Sequence, residues 1–98
     1  MDKCNSQERI FMIVNFLYKD HVAGLTNKEL ARLVGTSEAN ICRDMAVFEK
    51  FQWVNRNNNA RWRLSPTFAG IAGKLMRSYQ TAKLLLSEEE AKYATAMQ

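Results

Sequence analysis

The residues whose chemistry is easiest to assign lie on a predicted helix of about residues 38–51, which Ser37 would cap. With ~100° between successive residues, Ile41, Met45 and Phe48 fall on one side of this helix and would pack inward. Three residues suited to reading base pairs lie on the opposite side, namely Asn40, Arg43 and Val47. Arginine pairs bidentately with guanine, asparagine pairs with adenine, and a valine methyl can contact thymine. This face predicts contact with the bases of duplex DNA, although any exposed helix also needs a polar outer face.

A polar hairpin is predicted directly after this helix. Residues 53–56 and 61–64 have the alternating pattern of two short strands, and residues 57–60, three asparagines and an alanine, form the turn between them. The alternation places Trp62 inward and the arginines on either side of it outward. The hairpin therefore presents cations to solvent. A charged edge hairpin that is merely protected against aggregation would have the same pattern.

Positive charge is concentrated in the hairpin and in the segment that follows it. The chain has 14 Lys and Arg against 10 Asp and Glu, which gives a net charge of +4. From Lys50 to Lys83 there are seven basic residues and no acidic one. This is the electrostatic pattern of a surface that binds phosphates. We expect five residues to position the phosphates of duplex DNA, namely Ser37, Lys50, Arg56, Arg61 and Arg63.

Two further helices are expected to hold the base-reading helix in place. The first spans about residues 6–19, where apolar residues recur at helical spacing. The second opens with the capping box formed by Thr26 and Glu29, and Gly35 ends it. Two short helices joined by about three residues are a helix-turn-helix. Together with the hairpin they predict a mainly α fold, a winged helix-turn-helix of three helices and a two-stranded wing over residues 1–66.

Residues 67–98 are predicted to form a helical extension. Pro66 suits the first turn of a helix, and a long apolar stripe follows it. Ser87 with Glu90 repeats the capping signature, so the last residues form either a separate helix or a bent continuation. An exposed stripe of this length needs a partner, and we expect a homodimer. The alternative is a monomer in which the extension packs on the first helix. The dimer contacts are predicted at Phe68, Ile71, Leu75, Tyr79 and Leu86.

Other chemistry has little support in the sequence. Cys4 and Cys42 are too few for a disulfide framework or a zinc site, and Cys42 is expected to be a part-buried packing residue. His21 has no partner nearby in the sequence, and Glu88–Glu90 are consecutive, so these carboxylates cannot converge as an acid/base pair. We therefore expect no enzyme, no cofactor and no metal site. The apolar runs are too short to span a bilayer, and we expect a cytoplasmic protein.

Two segments of the chain resemble a known family: residues 25–35, LTNKELARLVG, and residues 37–54, SEANICRDMAVFEKFQWV. They look like the winged helix-turn-helix of the IclR family of bacterial transcription regulators. The strand Arg61–Leu64 resembles the basic–aromatic–basic–Leu strand that closes the family's wing. The likeness covers about residues 6–75.

This resemblance implies a bacterial or phage DNA-binding regulator. Helix 38–51 would enter the major groove, and Arg43 matches the recognition-helix arginine of the family. Such domains typically bind near-palindromic operators as dimers. The chain departs from the family pattern at Gln52, where glycine is usual, and at Asp44, where an apolar residue is usual and the aspartate adds a negative charge to the flank of the helix. With 98 residues it has no room for the family's effector-binding domain, so we expect a stand-alone regulator of the short phage or plasmid type.

Three functions are therefore open, and sequence-specific binding of double-stranded DNA in transcription regulation is the leading one. The second is a winged-helix adaptor, for instance a phage protein that captures a host factor. The acidic residues Glu38, Asp44 and Glu49, close to the base-reading face, keep this second function open. The third is binding of RNA or a single strand, with Trp53 or Trp62 stacking on bases.

Overall fold

The computed structural model describes residues 5–98, which form four helices and one two-stranded antiparallel sheet. The elements in chain order are α1 (Ser6–Lys19), α2 (Asn27–Val34), α3 (Glu38–Lys50), β1 (Val54–Arg56), β2 (Trp62–Leu64) and α4 (Pro66–Ala96). The chain divides into two units, one up to Phe68 and the other from Ala69 onward. The protein is thus mainly helical with a small sheet, as predicted, and this layout is consistent with a winged helix.

The helix starts are set by local capping, as the sequence predicts. Thr26 and Glu29 form a reciprocal capping box at the start of α2, and the Ser37 hydroxyl accepts a hydrogen bond from the Asn40 backbone at the start of α3. Gly35 ends α2 in the left-handed conformation, with φ of 81°. Because only residues 35–37 separate α2 from α3, the two helices form a tight helical pair.

The core lies among α1, α2, α3 and the sheet. Ile41, Met45 and Phe48 are buried, which confirms the predicted inward face of α3. The remaining buried apolar residues are Ile13, Leu17, Leu25, Leu30, Ala31, Val34, Val54 and Trp62. Each helix of the first unit therefore contributes one apolar stripe to a shared core.

The hairpin is joined to the helical pair through Trp62. Val54 pairs with Leu64, and Arg56 pairs with Trp62. Leu25, just before α2, exchanges two backbone hydrogen bonds with Trp62, at 3.0 and 2.7 Å. The indole is only 5% exposed, which confirms that Trp62 points inward. This contact fixes the hairpin against the start of α2.

The alternative of a separate last helix is wrong, because α4 is one continuous helix from Pro66 to Ala96. Ser87 and Glu90 do not begin a new helix, since strong helix formers flank them and no proline or glycine interrupts the segment. Every side chain from Ile71 to Gln98 is exposed. None of the helices within residues 5–98 combines the length and hydropathy needed to cross a bilayer.

Candidate nucleic-acid interface

The predicted base-reading residues Asn40 and Arg43 are hydrogen-bonded to each other on the outer side of α3. The Arg43 guanidinium donates to the Asn40 side-chain oxygen. The Asn40 amide in turn donates to the Thr36 hydroxyl at 2.9 Å. Arg43 is exposed, and Asn40 is half-buried. These bonds hold Arg43 in a defined direction along the helix, with the exposed side chains of Ala39 and Ala46 on the same outer half.

Val47, the third predicted base reader, has apolar surroundings. It is 52% exposed and lines a groove of about 270 Å³. The other groove-lining residues are Ile10, Phe48, Phe51 and Trp53. The structure therefore gives Val47 a second possible role, as part of an apolar contact surface beside the polar residues of α3.

The acidic charge of Asp44 is not on the outer side of α3. The sequence places Asp44 on the flank of the reading helix as an added negative charge, and this is wrong because the residue is 7% exposed. Its carboxylate accepts two hydrogen bonds from the guanidinium of Arg9 in α1, at 2.7 and 3.0 Å. A buried carboxylate requires such a partner. The pairing compensates the charge of Asp44 inside the molecule, whereas Glu38 and Glu49 remain exposed.

A chain of hydrogen bonds connects the hairpin to α3. The Trp62 indole N–H donates to the Asn27 side-chain oxygen at 2.7 Å, and the Asn27 amide donates to the Cys42 sulfur at 3.4 Å. The guanidinium of Arg56 lies over the Trp62 ring, 4.6 Å from its centroid. Cys42 is exposed, so the expectation that it packs part-buried is wrong. Its sulfur instead lies at the contact between α3 and Asn27 of α2.

Arg61 is engaged within the protein. Its guanidinium donates to the Gly24 carbonyl at 2.8 Å and lies 3.0 Å from the Glu29 carboxylate. Hydrogen bonds from the Thr26 hydroxyl and backbone, and then the nearby charge of Arg61, hold the pKa of Glu29 below its ordinary value. Arg61 therefore braces the hairpin against the start of α2. Its predicted contact with phosphate remains a prediction.

The other predicted phosphate contacts differ in how much of each side chain is available. Arg63 is exposed and donates one hydrogen bond from Nε to the His21 carbonyl at 2.9 Å. Arg56 and Lys50 are exposed. The Ser37 hydroxyl is exposed but already caps α3. The sequence predicts where these residues lie, but not the contacts of Arg61 and Arg63 with the loop before α2, because those contacts join residues about forty positions apart.

The tryptophans offer little surface for base stacking. Trp62 is buried and lies beneath Arg56. Trp53 is half-buried, with ring centroids 6.2 Å from Phe48 and 4.8 Å from Phe68. Phe68, a predicted dimer contact, is therefore part of the first unit's packing. The other predicted dimer residues are exposed, at Ile71, Leu75, Tyr79 and Leu86.

Comparison with known proteins adds no assignment to this geometry. No protein-family model, curated protein or solved structure matches the chain. Membership of the IclR family therefore stays a prediction. Within residues 5–98, no three His, Cys, Asp or Glu side chains are grouped so that they could hold a metal ion.

Proposed function

We propose that the first unit is a winged helix-turn-helix that binds double-stranded DNA, and that the protein is a small bacterial or phage transcriptional regulator. The observation that carries this proposal is the chain of hydrogen bonds from Trp62 through Asn27 to Cys42. These two bonds link the hairpin, residues 54–64 and the proposed wing, through Asn27 of α2 to α3, and they support the proposal that the wing and α3 face one duplex together. A base-reading helix and a phosphate-binding wing must share one side of the molecule to contact one duplex.

In this proposal α3 lies in the major groove. Arg43 donates hydrogen bonds from its two terminal nitrogens to O6 and N7 of a guanine. Asn40 reads a neighbouring base or holds Arg43 in position. The small side chains of Ala39 and Ala46 let the helix approach the base edges closely. The pairing of Asp44 with Arg9 supports this arrangement, because it compensates one of the three carboxylates of α3 that would repel the phosphates, although Glu38 and Glu49 remain exposed.

The wing and the end of α3 supply the phosphate contacts. Arg56, Arg63 and Lys50 are exposed cations and interact with the backbone on the two sides of the groove. Arg61 positions the wing through Gly24 and Glu29. With three phosphate contacts, the logarithm of the association constant should fall by about 2.7 for each ten-fold rise in salt concentration, per copy bound.

The test starts with selection of bound duplexes from a random pool, followed by affinity measurements on the selected duplex and on a scrambled one. Arg43→Ala should weaken binding to the selected duplex by about 1–3 kcal/mol and relax its specificity. Arg56→Ala should weaken binding to both duplexes alike and reduce the salt slope by about one. Lys19→Ala, which removes an exposed charge from the end of α1, is the matched control. The proposed roles would be excluded if Arg43→Ala preferred the selected duplex over the scrambled one as strongly as the unaltered protein does. Binding that does not change with salt concentration would exclude them as well.

A specific observation favours a second candidate function, a winged-helix adaptor that binds another protein. The apolar groove beside α3 contains Phe51 and Val47, which are 65% and 52% exposed. Exposed apolar patches of this kind often mark interaction sites. The adaptor function predicts nuclease-resistant, stoichiometric capture of a protein that Phe51→Ser abolishes and Arg43→Ala leaves unchanged. The DNA-binding function predicts the reverse, namely that Arg43→Ala weakens binding of the selected duplex and Phe51→Ser leaves it unchanged.

A further inference from the structure

The second unit leaves a long apolar face of α4 in contact with solvent. Tyr79, Leu86 and Tyr93 are 68%, 66% and 69% exposed, although they fall on one side of the helix at intervals of seven residues. A heptad pattern of alternating three- and four-residue steps covers residues 72–96. Its a positions are Ala72, Tyr79, Leu86 and Tyr93. Its d positions are Leu75, Ala82, Glu89 and Ala96.

Charge along this helix is separated into two halves. Lys74, Arg77 and Lys83 lie in the first half, with no acidic residue among residues 69–86. Glu88–Glu90 lie in the second half, with a single basic residue, Lys92. A second copy of the helix running in the opposite direction places the basic half against the acidic half. A parallel copy places like charges together, which is unfavourable.

We propose that α4 pairs with α4 of a second copy in an antiparallel two-stranded coiled coil over residues 77–98. Antiparallel pairing sets a positions of one helix against d positions of the other. In the register that we propose, Tyr79 faces the Ala96 position of the other copy, Ala82 faces Tyr93, and Leu86 faces Glu89. Each tyrosine therefore meets an alanine, so large and small side chains fill the seam alternately.

Flanking charges select this register. Lys83 and Glu90 both occupy e positions, and e positions face one another across an antiparallel seam. The proposed register puts Lys83 of each copy opposite Glu90 of the other, which makes two symmetric ion pairs. A shift by one heptad in one direction puts Lys83 opposite Lys83, and in the other direction it puts Glu90 opposite Glu90. A parallel pair would set the two Glu89 carboxylates against each other in one layer of the seam, which is repulsive, whereas the proposed register sets each Glu89 against Leu86 of the other copy.

The orientation can be measured by disulfide cross-linking in the full chain with Cys4→Ser and Cys42→Ser. The double variant Lys83→Cys with Glu90→Cys should give a covalent dimer under mild oxidation, whereas either single variant should stay uncross-linked. Within one helix the two positions are about 10.5 Å apart, too far for an internal disulfide. Thr81→Cys with Glu88→Cys has the same spacing on the outer face of the helix, and as the control it should not cross-link.

Cross-linking of a single variant would show an antiparallel pair shifted by one heptad, because only that shift sets two copies of residue 83 or of residue 90 opposite each other, and it would overturn the proposed register. A mass of 11.3 kDa by light scattering at submillimolar concentration would overturn it as well, because that is the mass of one chain. Charge exchange gives an independent readout. Lys83→Glu or Glu90→Lys alone should weaken the dimer about ten-fold, and the two together should restore it. Failure of the double exchange to restore association would contradict the proposed register.

The pairing of α4 does not depend on DNA binding by the first unit. A chain that dimerises as described but binds no duplex would refute the function proposed for the first unit and leave the coiled coil intact. A chain that binds the selected duplex through Arg43 but stays monomeric would refute the coiled coil and leave the function proposed for the first unit intact.

Discussion

Removal of Arg9 should destabilise the first unit strongly, because Arg9 is the charged partner of the buried Asp44. The guanidinium donates two hydrogen bonds to the carboxylate, at 2.7 and 3.0 Å, and the two side chains are only 12% and 9% exposed. Arg9→Met keeps an unbranched apolar side chain in place of the arginine stem but leaves the carboxylate without its cation. Loss of one partner of a buried pair costs about 3–5 kcal/mol. Since a little solvent reaches this pair, we expect about 3 kcal/mol.

Urea denaturation followed by tryptophan fluorescence measures this loss directly, since Trp53 and Trp62 both lie in the first unit. For a unit of this size a loss of about 3 kcal/mol also lowers the melting temperature by on the order of 10–20 °C. Arg32→Met is the matched control. It makes the same change at an exposed position of α2, and its effect should stay within about 0.5 kcal/mol.

The double variant Arg9→Met with Asp44→Leu separates the effect of an unpaired charge from the effect of lost packing. A buried ion pair is often no more stable than apolar side chains of similar volume, so the double variant should recover most of the lost stability. A cost below about 1 kcal/mol for Arg9→Met would contradict the role of Arg9 as the charge partner of Asp44. A double variant that loses as much stability as the two single variants added together would contradict it as well.

Three further predictions concern the contacts around the wing. Gly24→Ala should destabilise the unit much more than Gly35→Ala, since both glycines have φ of 81° but a Cβ at Gly24 would lie 2.6 Å from the Trp62 carbonyl oxygen, whereas nothing lies within 4 Å at Gly35; thermal melts of the two variants check this. Trp62→Phe should cost about 1–3 kcal/mol in urea denaturation, because the Asn27 side chain loses its indole donor. The lowered pKa of Glu29 stabilises the fold at pH values above its ordinary 4.5, and this contribution should disappear as the pH falls through the lower, folded-state pKa. Glu29→Gln should therefore flatten the acid side of a stability-against-pH curve, and an unchanged curve would contradict the assignment.

The sequence predicts those features of the fold that depend on residues close together in the chain. The capping box at Thr26 and the glycine stop at Gly35 involve neighbours within a few positions, and both are confirmed. The inward position of Trp62 follows from the two-residue alternation of a strand and is confirmed as well. Local rules work here because each helix start is satisfied by its own backbone and side chains.

The features that the sequence missed depend on residues far apart in the chain. Asp44 meets Arg9 across 35 residues, and no local pattern at Asp44 distinguishes a buried carboxylate from an exposed one. The exposure of Cys42 likewise depends on how α2 packs beside α3. In α4 the local rule itself failed, because the capping signature at Ser87 is also compatible with the interior of a helix that has strong helix formers on both sides.

The internal contacts of Arg61 have two opposite effects on the binding of a ligand at the proposed interface. Arg61 holds the wing to Gly24 and Glu29, so its charge is partly compensated within the protein and adds little to the attraction for phosphates. The same contact fixes the wing in place before any ligand binds, which lowers the entropy lost on binding. Arg63 shares this arrangement, because one bond from Nε to the His21 carbonyl orients a side chain that remains exposed. A basic hairpin in which one arginine braces and another is oriented yet exposed is therefore better suited to a ligand of fixed shape, such as a duplex, than to a flexible single strand.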